Sequence, residues 1–248
     1  MESAIRSKLL FGRNSGRKTA SHFSWNCSSV HFPRERRNRG GGPQKSMTDR
    51  LVIGLSGASG VVYGIRLLDA LGELRIESHL VMTKPGQMTI AYETQLTPKQ
   101  VAAKASRVHA IDDIAAPIAS GSFKTDGMIV APCSVRSMSE IATGVTTNLL
   151  TRAADVTLKE RRPLILMVRE TPLHLGHLRT MMTLAEMGAI ILPPMPAFYA
   201  EPQSLSDLVD QMVGRALDLL GYAWPIKRWG EDLPSSKGKK GGKGNPKR

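Results

Sequence analysis

Four charged side chains flank a helix and a strand that the sequence predicts near the middle of the chain. Arg152 and Lys159 are seven residues, or about two helical turns, apart in a stretch rich in Ala and Leu, so they lie on one face of a helix. Arg169 and Glu170 directly follow the apolar run 163–168, which has the length and composition of a buried strand. Because open α/β sheets bind ligands at the carboxyl ends of their strands, we expect three cations and a carboxylate to meet at one edge of the sheet. These charges suit a phosphorylated ligand.

Two further arginines at the end of the same helix have a simpler explanation. Arg161 and Arg162 follow Lys159 and Glu160, and cations at a helix C-terminus are favoured by the helix dipole, so we interpret them as the solvated end of the helix. Arg152 lies in the first turns, where a cation gains nothing from the dipole. It is therefore the better candidate for a binding role.

A turn of small residues joins the first predicted strand, 51–55, to a helix over 61–71. Its sequence, Ser56-Gly57-Ala58-Ser59-Gly60, lets backbone N–H groups approach a phosphate at the helix N-terminus. The pattern is not the dinucleotide motif G-x-G-x-x-G, and the second predicted strand, 78–82, ends on Thr83 and Lys84 instead of an acidic residue. We interpret the turn as a mononucleotide site, although a tight turn that needs positive φ explains the glycines equally well.

Other hydroxyl and carboxyl groups lie near predicted strand ends. Ser134 follows a strand over 127–131 and begins a helix, where a serine can cap the helix or hold an anion. Glu93 ends a polar helix that begins at Thr83, and from its chemistry alone it is more often solvated than catalytic. The small residues at the end of the loop 112–122 either line a ligand or form turns.

The remaining elements offer weaker signals. A helix is predicted over 97–106, a strand over 188–192 and an amphipathic helix over 204–220, with Arg215 off its apolar stripe. His174 and His177 are spaced like metal ligands, but no third ligand has a suitable spacing. A helix start facing solvent or another subunit is the preferred interpretation of these histidines.

The net charge of +13 belongs to the ends of the chain. Residues 1–50 carry +8 and residues 225–248 carry +6, whereas the middle carries −1 and is poor in aromatic residues. A basic protein often binds nucleic acid, but a neutral folded part argues against that partner here. The sequence contains no apolar run of about 20 residues, so no membrane span is expected.

Composition divides the chain into residues 1–46, a domain over 47–230 and a basic tail over 231–248. The first segment is rich in Arg, Ser and Gly with two acidic residues, which is typical of an organellar transit peptide; a disordered basic arm is the alternative. The tail cannot bury a core. Cys27 lies in the first segment and Cys133 in an apolar stretch, so we expect a reducing compartment, with Cys133 as a core thiol.

Taken together, these motifs resemble the UbiX-type flavin prenyltransferases, long labelled phenylacrylic acid decarboxylases in fungi. The resemblance covers essentially the whole domain, and the block 152–172 is its most specific part. The matching segments are G-x-S-G-A-S-G at 54–60, A-x-E-T at 91–94, A-S-G-S at 119–122, P-C-S at 132–134, R-A-A-D-V-x-L-K-E-R-R-P-L at 152–164, R-E-T-P at 169–172 and P-x-P-x-F-Y at 194–199.

The resemblance implies a Rossmann-like, three-layer αβα flavoprotein with a mostly parallel sheet. It also implies the transfer of a dimethylallyl group from dimethylallyl phosphate to N5 and C6 of reduced FMN, with no metal. The product would serve UbiD-type decarboxylases, and family members usually form dodecamers with sites at subunit contacts. Together with the basic N-terminal segment, the fungal likeness implies a mitochondrial location.

The family pattern also implies roles for individual residues. Glu93 would assist proton movements at the flavin, Glu170 would act as an acid for the departing phosphate, and Ser59 belongs to the catalytic group. FMN would be held by Gly57, Ala58, Ser59, Thr83, Ser134, Val135, Arg136, Ser137 and Arg169. The prenyl donor would be held by Ser120, Arg152, Lys159, Tyr199, Arg215 and Trp229.

The alternative function is that of an FMN-dependent decarboxylase acting directly on an aromatic or phenylacrylic acid. Related decarboxylases carry a P-x-M-N-x-x-M-W segment, whereas residues 193–199 read PPMPAFY and lack its Asn. The sequence therefore favours the prenyltransferase.

Overall fold

The computed structural model describes residues 49–231. The predicted transit peptide 1–46, Cys27 and the basic tail beyond residue 231 lie outside these residues. None of the helices within 49–231 is both long enough and apolar enough to cross a bilayer.

A six-stranded sheet forms the centre of the domain, and every neighbouring pair of strands is parallel. The central strands are continuous apolar runs that are buried on both faces, as expected of a parallel sheet covered by helices. The strands are β1 (Arg50–Leu55), β2 (Glu77–Met82), β3 (Arg107–His109), β4 (Gly127–Cys133), β5 (Leu164–Val168) and β6 (Ile190–Ile191).

Helices cover both faces of this sheet and produce two hydrophobic cores. The helices are α1 (Val61–Glu73), α2 (Lys84–Glu93), α3 (Pro98–Ala102), α4 (Val135–Thr143), α5 (Leu149–Lys159), α6 (Leu175–Glu186) and α7 (Leu205–Leu219). One core lies under α1 and α7, and the other lies under α4 and α5. The predicted α/β class and its three layers are confirmed.

The strand order, β3-β2-β1-β4-β5-β6, reverses direction between β1 and β4. The chain builds outward from β1 to β3, and then returns to the other side of β1. The turns after β1 and β4 therefore diverge and leave a crevice at the carboxyl edge, which is where doubly wound sheets bind ligands. Both turns are among the segments that the sequence singled out.

Three element predictions need correction. The helix predicted over 97–106 ends at Ala102, and the chain then forms β3, which was not predicted. Reciprocal hydrogen bonds between Ser78 and Ser106 join this segment to β2, and such a pairing has no local sequence signal. The strand predicted over 188–192 is only Ile190–Ile191, because Gly188 has a φ of 97° and ends the preceding helix.

A histidine pair joins β2 to β3. His79 Nδ1 and His109 Nε2 are 2.9 Å apart and the two rings are stacked, so one neutral ring must accept the hydrogen bond of the other. Burial lowers the pKa of both imidazoles. Glu77 and Asp113 act in the opposite direction, on His79 and His109 respectively, but do not reverse the shift.

We expect the free energy of unfolding to decrease as the pH falls below about 6.5, the usual pKa of a histidine. In this range the unfolded chain binds protons that the folded pair excludes, so stability rises with pH. His109→Gln removes one of the titrating rings and should reduce the slope between about pH 7.5 and about pH 5.5, measured by urea unfolding. Equal slopes in the variant and in the wild-type protein would contradict the prediction.

Candidate active site

A buried hydroxyl joins the two turns that form the crevice. Ser56 directly follows β1 and is fully buried. Its Oγ donates to the carbonyl of Pro132 (2.8 Å), near the end of β4, and accepts from the backbone N–H of Ser134 (2.7 Å), directly after β4. The sequence interpretation included Ser56 in the small-residue turn but assigned it no role. A serine placed directly after a strand was the available signal.

The first cleft, of about 550 Å³, opens between these turns and α2. Two capping hydroxyls mark the helix N-termini that line it: Thr83 accepts from the N–H of Gly86, and Ser134 accepts from that of Ser137. The predicted FMN-binding residues that line this cleft are Gly57, Thr83, Ser134, Val135, Arg136 and Ser137.

Several lining residues of the first cleft were not predicted. Glu140 accepts from Arg136 Nε (2.9 Å) and from Thr147 Oγ1 (2.8 Å), so it ties α4 to the loop before α5. The i,i+4 spacing of Arg136 and Glu140 was a usable signal. The others, Lys84, Pro85, Ile111, Asp112, Thr147 and Asn148, come from separate segments that only the fold brings together.

The second cleft, of about 380 Å³, lies on the other side of the first turn. Ser59, Glu93 and Arg169 line it together, with apolar residues of α7 opposite. The carboxylate of Glu93 accepts from the N–H groups of Gly60 (2.8 Å) and Val61 (3.1 Å), both through Oε2. Glu93 therefore caps α1, whose N-cap Gly60 has a φ of 98° and no side chain. The positive φ expected in this turn is confirmed at Gly60 alone within residues 56–60.

A third group of predicted residues lies along α5. Arg152 Nε donates to the carbonyl of Ala119 (3.3 Å), and Lys159 pairs with Glu160, beside Gly121. Ser120 lies between these contacts and is hydrogen-bonded to Ser122. Arg152 and Lys159 thus share a helix face, as predicted, but they do not line either of the two clefts.

The remaining predicted residues lie near the C-terminal end of the domain. Tyr199 packs edge-on against Trp229, with ring centroids 5.5 Å apart, and both rings are exposed. Arg215 is exposed on α7, off its buried stripe as expected. Glu170 is half-buried at the end of β5 and accepts from the N–H of Thr171.

The thiol and the histidine pair HLGH behave as the sequence indicated. Cys133 is fully buried, and burial raises the pKa of its thiol to about 12, so it is a core residue. His174 caps α6 through Nδ1 and stacks on His177. Within residues 49–231, no group of three or more His, Cys, Asp or Glu is arranged to hold a metal ion.

Comparison with known proteins decides the family. Residues 42–217 match the model of the family described as Flavoprotein. Flavin prenyltransferase UbiX of Escherichia coli K12 is 53% identical over 184 residues, which cover 73% of this chain and 97% of that protein. The chain belongs to the flavoprotein family, and within it to the UbiX-type flavin prenyltransferases. Flavin prenyltransferase PAD1, mitochondrial, of Saccharomyces cerevisiae is 51% identical over 181 residues, covering 73% of this chain and 75% of that one.

Solved structures of this family share the fold. AnUbiX (PadA1), solved in complex with FMN and dimethylallyl pyrophosphate, has a TM-score of 0.71 and 48% identity, covering 73% of this chain and 99% of that one. A dodecameric FMN-dependent UbiX-like decarboxylase from E. coli O157:H7 has a TM-score of 0.71 and 47% identity, covering 73% and 98%.

The first cleft of this flavin prenyltransferase fits FMN. The N-termini of α2 and α4 both open into it, and their N–H groups and capping hydroxyls suit a phosphate. Ile111, Val135 and Pro85 add apolar surface for a planar ring system. The residues present therefore agree with the family's ligand.

We expect Ser56→Ala to lower both stability and FMN affinity. The change removes the acceptor of the half-buried Ser134 N–H, which costs about 1–3 kcal/mol, whereas the Pro132 carbonyl keeps its bond from the backbone N–H of Ser56 (3.2 Å). It also removes the side-chain link between the two segments. Urea unfolding and FMN titration measure the two effects. Ser139→Ala, an exposed serine of α4, is the matched control and should leave both quantities unchanged. If Ser56→Ala binds FMN like the control, the hydroxyl does not set the shape of the cleft.

Proposed function

We propose that this enzyme joins a dimethylallyl group from dimethylallyl phosphate to reduced FMN. The observation that carries the proposal is the second cleft, where Ser59, Glu93 and Arg169 meet across one turn from the flavin-sized first cleft. This arrangement places a carboxylate and a cation next to the position where a flavin and a phosphorylated donor would meet. Bound reduced FMN supplies the nucleophilic atoms N5 and C6.

The residues around the first cleft hold the flavin. The turn 57–59 and the capping residues of α2 and α4 donate hydrogen bonds, and Arg169 adds a positive charge at the end of β5. The full set is Gly57, Ala58, Ser59, Thr83, Ser134, Val135, Arg136, Ser137 and Arg169.

Two carboxylates move the protons. Both bonds that Glu93 accepts go to Oε2, so Oε1 is the atom that takes up a proton from the reacting position. Ser59, which lines the same cleft, supports this proton transfer. Glu170 protonates the departing phosphate.

The donor is held by cations and aromatic rings. Ionising an allylic phosphate requires stabilisation of the leaving oxygens, which Arg152, Lys159 and Arg215 supply electrostatically. Ser120 binds beside them, and Tyr199 and Trp229 cover the hydrocarbon.

The proposed assembly is a homo-oligomer, with a dodecamer as in the E. coli O157:H7 relative. One chain does not bring Arg152 and Lys159 into either cleft, so a neighbouring subunit is needed to unite the donor residues with Glu93. The helix α6 supports the assembly because Leu175, Leu178 and Met182, spaced for one helix face, are all exposed.

The proposal also covers the enzyme that receives the prenylated FMN and the compartment in which this chain works. Prenylated FMN is used by UbiD-type decarboxylases, so such an enzyme is the proposed recipient. The mitochondrial name of the S. cerevisiae relative and the basic composition of residues 1–46 support a mitochondrial location.

A second candidate is direct decarboxylation of an aromatic acid, because the E. coli O157:H7 structure is described as a decarboxylase. The segment PPMPAFY, which lacks the Asn of the related decarboxylases, speaks against it. Incubation with reduced FMN and dimethylallyl phosphate, without any acid, should increase the mass of the flavin by one five-carbon unit. An unchanged flavin mass, together with loss of CO₂ from an added cinnamate-type acid, would replace the prenyltransferase by the decarboxylase. Assaying dimethylallyl diphosphate in parallel shows which of the two phosphates is the donor.

We expect Glu93→Gln to bind FMN normally and to lose turnover by at least about 10-fold, since general acid–base catalysis contributes about 10²–10⁴. The amide oxygen of Gln still caps α1 but cannot take up a proton. Glu186→Gln, an exposed residue of α6, is the control. Turnover equal to that of the control would remove Glu93 from the mechanism.

A further inference from the structure

Arg162 makes contacts that a solvated helix end does not explain. Its guanidinium donates to the carbonyls of Gly121 (2.6 Å) and Phe123 (2.8 Å), and to Thr125 Oγ1 (3.3 Å). These acceptors belong to one loop, and two of them are carbonyls only two residues apart. The helix-dipole interpretation given to Arg162 from sequence is therefore incomplete, whereas its neighbour Arg161 is exposed as expected.

The first part of the loop that Arg162 holds, residues 119–123, is called the serine loop below. It carries Ser120 and Ser122, whose hydroxyls are 2.9 Å apart. Its start is held by Arg152 through the carbonyl of Ala119. Its end is held through Phe123, whose ring packs edge-on against His79 and lies under the guanidinium of Arg50.

The serine loop also lies directly against the predicted donor cations. A Cβ at Gly121 would collide with the carboxylate of Glu160 and come within 2.7 Å of Lys159 Nζ, so the backbone of the loop lies against the ends of these two side chains. Any shift of the loop would therefore change the distance between Ser120 and the charges of Arg152 and Lys159.

We propose that Arg162 is a positioning residue that fixes the serine loop and thereby sets the affinity for the prenyl donor, without contacting the donor itself. The proposal rests on the proposed function, since it assumes that Ser120, Arg152 and Lys159 bind the donor phosphate. The planar fork of arginine reaches two carbonyls at once, and charge-assisted bonds of this kind are short and strong. Lysine keeps the charge but lacks the fork, so it cannot replace Arg162.

The test compares Arg162→Lys and Arg162→Gln with Arg161→Lys and Arg161→Gln in the full chain. The adjacent arginine provides the same change of charge at an exposed position. For both Arg162 variants we expect the KM for dimethylallyl phosphate to rise about tenfold or more, because a hydrogen bond to a charged group is worth about that factor. The kcat should change by less than about threefold, as expected when binding is lost without transition-state stabilisation. The Kd for FMN should match that of the Arg161 controls.

Hydrogen exchange of the serine loop, measured without substrates, provides a readout that is independent of turnover. Exchange in residues 119–123 should be faster in Arg162→Lys than in Arg161→Lys. An unchanged KM overturns the proposal even if exchange is faster, and so does a parallel loss of FMN affinity and thermal stability in both Arg162 variants. Failure of the wild-type chain to prenylate FMN would instead reject the proposed function, which separates the two results.

Discussion

The hydrogen bonds of Ser56 are the constraint on which the site depends. Parallel strands stop sharing a ladder where β1 and β4 diverge, yet the backbone there is still buried and needs partners. One hydroxyl meets this need because it donates and accepts at the same time. It thereby fixes the separation of two turns, and these turns form the facing walls of the first cleft. The crevice is thus shaped by a group that touches no ligand in the proposed mechanism.

Helix N-termini and ion pairs determine where charge lies around the clefts. The N-termini of α1, α2 and α4 all follow strands of one parallel sheet and so lie at the same edge. The carboxylate of Glu93 caps the N-terminus of α1, whereas the N-termini of α2 and α4 open into the first cleft. Arg152 and Lys159 are paired with Asp155 and Glu160 in partly exposed ion pairs, which contribute little stability. In the proposed function, the donor phosphate replaces these carboxylates at small cost.

Much of the fold follows from local patterns. The buried strands and the helices after them were predicted because continuous apolar runs and small-residue turns are local signals. β3 and the short β6 were missed or misjudged, because each pairs with a single neighbour at an edge of the sheet and owes its form to that pairing. Of the residues that line the first cleft, those in contiguous motifs were predicted, but Glu140, Thr147 and Asn148 were not, since they join it only through contacts between separate segments. Arg162 was misread for the same reason.

The sequence by itself determined the fold class, the family and the types of residue available for phosphate and proton chemistry, because motifs and apolar periodicity are properties of neighbouring residues. Only the tertiary structure decided how these residues are grouped. It assigned Glu93 to the end of α1, joined Ser56 to the turn after β4, and placed Arg162 on the serine loop. These contacts span 30 to 80 residues of chain, roughly, and such distances are closed by the burial of the two cores and not by any local preference.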